Sequence, residues 1–529
     1  MHRTMRKVTL AAAMLGMMAL TLEAAPGAAQ SVIRYVPHAD LKVVDPITNT
    51  AAITGQHAYM VYDMLFAYDR DYRPQPQMVE AYTVSPDGLV YRFTLRAGLK
   101  FHDGRPVTTA DVIQSITRWA ARDSNGTILR GLGMQLAAVD DRTFTLTLKE
   151  PWGLVLDSLA KDGSYAAFVM REQEAKTDPN AAITEVIGSG PFRFSREGWV
   201  PGSKVVYVKN QDYVPRSEPA SLFAGGKQVK IDRVEWVIIP DAATAAAALN
   251  AGEVDIFEQP PTDLLPMLKR NKDVVVKVHN PFGEIAYLRP NHLHPPFDKP
   301  EGRQALLYIA AQDEYMQASA GDPAYWRRCF SWVGCGSSNE TEAGTTDFQK
   351  PNIAKAKQLL QKAGYKGEPV VVLQPNDLQV LRDITQVLAA RLKDAGVNVD
   401  LQLSDWATIT ARRVKKDAPD KGGWSMFVST AFGFRFSSPV TNFALPMPCG
   451  GTGFVGWACD EKMNGLLSSW AKEVDAGKRK AITEQIQIRA IETIPYLPMG
   501  QITRPVAYRT NVEGMIEVPS PVLWNVSKR

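Results

Sequence analysis

The stretch from Val370 to Leu403 constrains the fold more than any other part of the sequence. Val370 to Leu373 is an apolar run of strand length. Leu381, Ile384, Leu388 and Leu392 then recur at helical spacing up to Gly396, and Val397, Val399, Leu401 and Leu403 alternate with polar residues. Strand, helix and strand in that order form a βαβ unit, whose strands run parallel because the helix carries the chain back across the sheet. Just before it, Ile353, Ala356, Leu359 and Leu360 mark another helix, entered at Pro351 and stopped at Gly364.

The earlier half is also mixed. Tyr91, Phe93 and Leu95 alternate with Arg92, Thr94 and Arg96, and Phe144, Leu146 and Leu148 alternate with Thr145 and Thr147, which is the period of half-buried strands. Between them, Thr108 and Asp111 form a capping-box pattern ahead of Val112, Ile116 and Trp119. Val234, Trp236 and Ile238 mark a further strand, and Asp241 opens an alanine-rich helix that Gly252 ends. Both halves are therefore α/β. A chain of 529 residues exceeds the about 250 to 300 at which one core stops growing, so at least two lobes are expected.

The amino terminus reads as a secretory signal: Arg3, Arg6 and Lys7, an apolar run from Val8 to Leu22, then Gly27-Ala28-Ala29, with the mature chain expected from Gln30. That run falls short of the about 20 apolar residues a membrane span needs, and no later run is long enough. No cysteine precedes Cys329, so a lipid anchor at the cleavage site has no attachment point. Removing residues 1–29 takes away three basic residues and Glu23, and the formal charge falls from +4 to +2. That balance argues against nucleic acid or an anionic membrane as partner.

In an oxidising compartment Cys329, Cys335, Cys449 and Cys459 are expected as two local disulfides, one of the three pairings that four cysteines permit. The absence of a CxxC pair or a nearby histidine argues against structural zinc. Gly451 to Gly456 fits GxGxxG but has no strand before it and no helix after it, and His292 with His294 lacks a third ligand. No G-x-S-x-G elbow, P-loop or HExxH occurs. The expectation is no metal, no cofactor and no catalytic centre.

Several stretches carry a family resemblance. They are SPDGLVYRFTLRAGLKFHDGRPVTTADV from Ser85 to Val112, Gly188-Ser-Gly-Pro-Phe192, Gly252-Glu-Val-Asp255, Pro295-Pro-Phe-Asp298 with Arg303-Gln-Ala-Leu306, and Ala354 to Tyr365. In this order they resemble the bacterial extracellular solute-binding proteins of family 5, the dipeptide- and oligopeptide-binding components of ABC importers. Locally, Ser85-Pro-Asp-Gly88 and His102-Asp103-Gly104 are turn chemistry rather than catalysis.

The resemblance implies a two-lobed periplasmic binding protein fold of class II, cluster C type. The first lobe would be 30–285 plus 500–529, with an extra α/β subdomain at about 56–185, and the second lobe 286–499. Crossings between lobes would fall near Ala286 to Asn291 and Tyr496 to Gln501. It further implies a soluble periplasmic monomer, not an enzyme, that closes a hinge on a small solute and presents it to a membrane permease. An enzyme on the same fold, or a chemoreceptor- or chaperone-like interaction protein, are the alternatives, since fold alone does not settle function.

Peptide-binding members of the family hold the ligand ammonium with an aspartate on a second-lobe segment that matches Trp424 to Pro439, where Arg435 stands at about that place and no acidic residue occurs. A buried guanidinium asks for an anionic or acceptor-rich partner and repels an ammonium. The expected ligand is therefore of the type the peptide-transporter family takes, but not an ordinary peptide with a free amino terminus. Phe432 and Phe434 are expected to line the site with it, though an extended chain would turn Arg435 to the opposite face. Trp406 occupies a place where the family has a cleft residue. Gly55, Gln56 and His57, read as preceding a helix that carries Met60, are the first-lobe candidates, through free backbone N–H groups.

Overall fold

A computed structural model describes residues 31–529 apart from 164, 281, 441, 452, 474 and 520; the expected signal segment, 1–29, lies outside the described residues. The βαβ unit forms as its pattern predicts. Val370–Pro375 and Val399–Ser404 pair in parallel, Val370 opposite Val399, with the helix Gln379–Asp394 between them in sequence. Every residue of Val370–Pro375 is buried, as suits a strand covered on both faces. Leu381, Ile384, Leu388 and Leu392 are the buried stripe of the helix, and Gly396 follows it with φ +81°. The preceding helix is Ile353–Lys362. Asn352, not Pro351, is its cap, because the Asn352 side-chain oxygen accepts from Lys355 N at 3.0 Å.

This unit belongs to a six-stranded sheet, ordered Trp326–Arg327, Leu497–Ile502, Glu284–Pro290, Met426–Phe432, Val370–Pro375, Val399–Ser404. A seven-stranded sheet is built from earlier residues plus Pro505–Arg509, which pairs antiparallel with both Ile256–Phe257 and Val274–Val278. At its centre Val32–Val36 lies parallel to Arg233–Val237 and to Ile256–Phe257. A separate antiparallel sheet joins Val79–Val84, Val90–Leu95, Thr143–Thr147 and Gln135–Ala138. Packed against it, the helix Thr109–Ala120 carries the complete Thr108–Asp111 capping box and buries Val112, Ile116 and Trp119. The fold is a two-lobed α/β architecture.

The chain passes between the two large sheets from Val278 to Glu284 and from Ile502 to Pro505. Both passages lie a few residues from the expected crossings, because Glu284–Pro290 and Leu497–Ile502 are paired neighbours within the second sheet, Ala286 opposite Gly500. Gly283 has a packing reason to be glycine: a Cβ there would sit 2.1 Å from Ile502 O, where the passages touch. The cysteines form the two local bridges, Cys329–Cys335 and Cys449–Cys459, with Cα separations of 5.7 and 4.6 Å.

Candidate ligand-binding site

The second-lobe wall is built where the strand Met426–Phe432 ends in one 3₁₀ turn, Gly433–Phe436. An extended continuation would send Phe434 and Arg435 to opposite faces, whereas a three-residue turn fans successive side chains by about 120°. Phe434 and Arg435 therefore face the same space, and Phe432 stacks on Phe434 at 5.6 Å. Phe436 turns the other way and is fully buried against Tyr287 and Tyr496.

That space is a cavity of about 790 Å³ between the lobes, with a side chamber of about 210 Å³; Phe434 and Arg435 line both. The larger lies within the roughly 300 to 1,000 Å³ usual for small-molecule sites. First-lobe residues Tyr68, Tyr72, Leu154 and Asp162 face second-lobe Phe434, Arg435 and Phe443 across it. The lobes touch at its edge: a Cβ on Gly163, whose φ is +81°, would lie 3.1 Å from Phe434 Cζ. A larger residue would have to displace the phenyl ring.

Arg435 sits over the Phe443 ring at 4.5 Å and donates no hydrogen bond to any described residue. Burial lowers its pKa, which a buried cation without an acceptor must show. Across the cavity Asp162 is 4% exposed, and its Oδ2 has no hydrogen-bond partner among the described residues. Burial pushes this carboxyl up to about 7, against the opposing pull of its own backbone N–H, Lys161 and Arg435. Lys161 is committed elsewhere, as the ion-pair partner of Asp123, which also caps the helix Ser124–Gly131. Asp157 differs from Asp162 in having a partner, the Tyr68 hydroxyl at 3.3 Å.

The other sequence candidates divide. Gly55 lines the side chamber. The helix, however, is Ala52–Val61, so Thr54 to His57 lie within it and not before it, and Gly55 N is already bonded to Ala51 O at 3.2 Å. Gln56 and His57 point into the first lobe: Gln56 Nε2 donates to Glu258 Oε1 at 2.5 Å, and His57 Nδ1 lies 2.9 Å from the Tyr207 hydroxyl. Burial drops the His57 pKa to about 3, so the ring is neutral. Trp406 lines neither chamber. It opens the helix Trp406–Arg412 and packs half-buried against the cluster of Leu373, Ile409, Trp424 and Phe427. His292 and His294 each bond a backbone carbonyl, Ile494 O and Lys416 O. Asp162 escaped the sequence reading because Lys-Asp-Gly is ordinary turn sequence, and only burial without a partner distinguishes it.

Comparison with known proteins accords with this geometry. The family model described as bacterial extracellular solute-binding proteins, family 5 Middle, matches residues 73–454. The chain belongs to this family. A family relative from Sinorhizobium fredii, named as a probable peptide ABC transporter periplasmic-binding protein, is 39% identical over 92% of both chains. A glutathione-binding protein of Pectobacterium atrosepticum is 26% identical over 72% of both. Among solved structures, the Bacillus subtilis oligopeptide-binding protein AppA with a nonapeptide superposes with TM-score 0.78 at 18% identity, covering 94% of this chain and 99% of its own. The Agrobacterium protein AgaA with agropinic acid gives 0.77 at 24% identity, with the same coverage. These likenesses establish the solute-binding family and its fold. No helix of the described residues is long and apolar enough to cross a membrane.

Proposed function

We propose that this solute-binding protein works in the periplasm, capturing a small solute between its lobes and presenting it to the membrane permease of an ABC importer, without chemical change to the solute. The two lobes rotate about the two short passages, Val278 to Glu284 and Ile502 to Pro505, and closure brings both walls onto the ligand. Its kinship to a probable peptide-transporter component supports the peptide-transporter class. One observation carries the reading of the ligand: the Arg435 guanidinium faces the cavity with no acceptor among the described residues. The ligand supplies that acceptor, as a carboxylate or similarly acceptor-rich group, and an ordinary peptide ammonium beside Arg435 is excluded by like charge.

The test is to release whatever small molecule copurifies, identify it by mass spectrometry, and titrate it into wild type and Arg435→Ala, following the fluorescence of the 11 tryptophans. Losing a charge-assisted hydrogen bond costs about 1.5 to 3 kcal/mol, so affinity should fall more than tenfold. Equal affinity in the two proteins would remove Arg435 from the site, and conversion of the compound to a product would replace capture with catalysis.

A further inference from the structure

Two ionisable groups of opposite sign, each with donors or acceptors left open among the described residues, face one cavity from opposite lobes. Arg435 comes from the 3₁₀ turn of the second lobe, and Asp162 from the loop that follows the first-lobe helix Val155–Ala160. They make no ion pair with each other; Arg435 stacks on Phe443, and Asp162 Oδ2 is buried and unpartnered among the described residues. The nearest lysine cannot serve Asp162, being held by Asp123. A buried carboxylate oxygen without a donor is costly even where the backbone N–H of its own residue serves the carboxyl group, and most buried polar atoms in folded proteins find a partner, so Oδ2 is a place for a ligand donor.

We propose that Asp162 is the anchor for a cationic group of the ligand, so that the cavity takes a zwitterion of peptide-like chemistry: an ammonium on Asp162 of the first lobe and a carboxylate toward Arg435 of the second. This rests on Arg435 as the acceptor-seeking group and deepens that reading. The polarity is reversed with respect to a site that holds the ammonium on a second-lobe aspartate, so a free amino terminus, unexpected beside Arg435, is accommodated on the first lobe instead. Each lobe then contributes one charge, and only the closed form satisfies both, which couples recognition of both ligand ends to closure.

The probe is a randomised tripeptide pool offered in three forms, free, N-acetylated and C-amidated, with retention by the full chain read by native mass spectrometry. Wild type should enrich the free form at least tenfold over each blocked form. Asp162→Asn should abolish the preference for free over acetylated peptides while keeping that for free over amidated ones, and Arg435→Ala should do the converse. Asp162→Asn should also melt at a higher temperature than wild type when unliganded at pH 8, because it removes an unpaired buried charge; that identifies a folded variant. Retention of acetylated peptides as strongly as free ones by wild type, retention of none of the three forms, or an unchanged free-to-acetylated ratio in Asp162→Asn would overturn the proposal. An unchanged acid-to-amide ratio in Arg435→Ala instead overturns the Arg435 reading, so the two failures are distinct.

Discussion

Two arginines of the second lobe, Arg289 and Arg435, both feel Tyr287 and have opposite fates. Arg289 is 0% exposed and gives its donors to backbone carbonyls of separate segments: Nε to Val455 O at 2.6 Å, Nη2 to Phe454 O at 3.2 Å, and Nη1 to Ala444 O at 3.1 Å and to Pro495 O. Its ring partner is Phe454 at 5.0 Å. Arg435 has a ring partner too, Phe443 at 4.5 Å, but no acceptor among the described residues. Burial lowers the pKa of both, that of Arg289 to about 10. The physical distinction between a structural arginine and the proposed ligand-seeking one is whether the protein uses up the donors, not how deeply the group is buried.

The largest expected effect tests the structural side. Arg289→Met leaves carbonyls from the 444–455 loop and Pro495 without donors. Denaturant unfolding should show a loss of at least about 3 kcal/mol, since each hydrogen bond to a charged group contributes about 1.5 to 3. A loss under about 1 kcal/mol would erase the contrast. Arg435→Met is the mirror experiment: unfolding free energy of the unliganded protein should stay within about 0.5 kcal/mol of wild type or rise, while affinity for the copurifying solute drops more than tenfold. Marked destabilisation would make Arg435 a second staple.

A smaller effect comes from pH. The Asp162 pKa of about 7 stands above its ordinary 3.8, so this group's contribution to the stability of the unliganded protein is greatest in acid and diminishes as pH rises from about 4 to about 7. The groups acting on it are its own backbone N–H, Lys161 and Arg435, and Tyr59, Tyr68 and Tyr72, whose hydroxyls burial and nearby acids hold well above the ordinary tyrosine range. A ligand cation binds the ionised form. Affinity should therefore increase from pH 5 to 7, by at most about tenfold per unit, and flatten above. The Asp162→Asn variant should lack this rise, and a wild-type profile flat over the same range would argue against an ionised partner. The smallest change is expected for Trp406→Ala. It should cost about 1 to 2 kcal/mol of stability through lost packing and leave solute affinity unchanged; weakened binding would return Trp406 to the cleft.

Much of the architecture was legible because it is written in local patterns. The βαβ unit around Leu388, the capping box at Thr108 and the helix from Asp241 to Gly252 each follow from periodicity and cap chemistry within one segment. The site was legible only in part. Arg435 and Phe434 are neighbours on one segment, and the 3₁₀ turn that lets both face the cavity follows where Gly433 N bonds to Gly283 O at 2.8 Å, a contact between distant parts of the chain. For Gln56 and His57 the reading failed for a similar reason. Their donors and rings are taken by Glu258, Tyr207 and Phe194, partners that no local pattern reveals.

The amino-acid sequence by itself determined the family, the two α/β halves and the presence of an arginine where a second-lobe aspartate is expected, because motifs, turn residues and hydrophobic period act over short spans of chain. Tertiary structure alone decided which cysteines pair, where the chain passes between sheets, and that Asp162 meets Arg435 across one cavity. Whether a charged side chain is paired, solvated or left for a ligand depends on what distant segments bring beside it. That is why Asp162 looks ordinary in the sequence and exceptional in the fold.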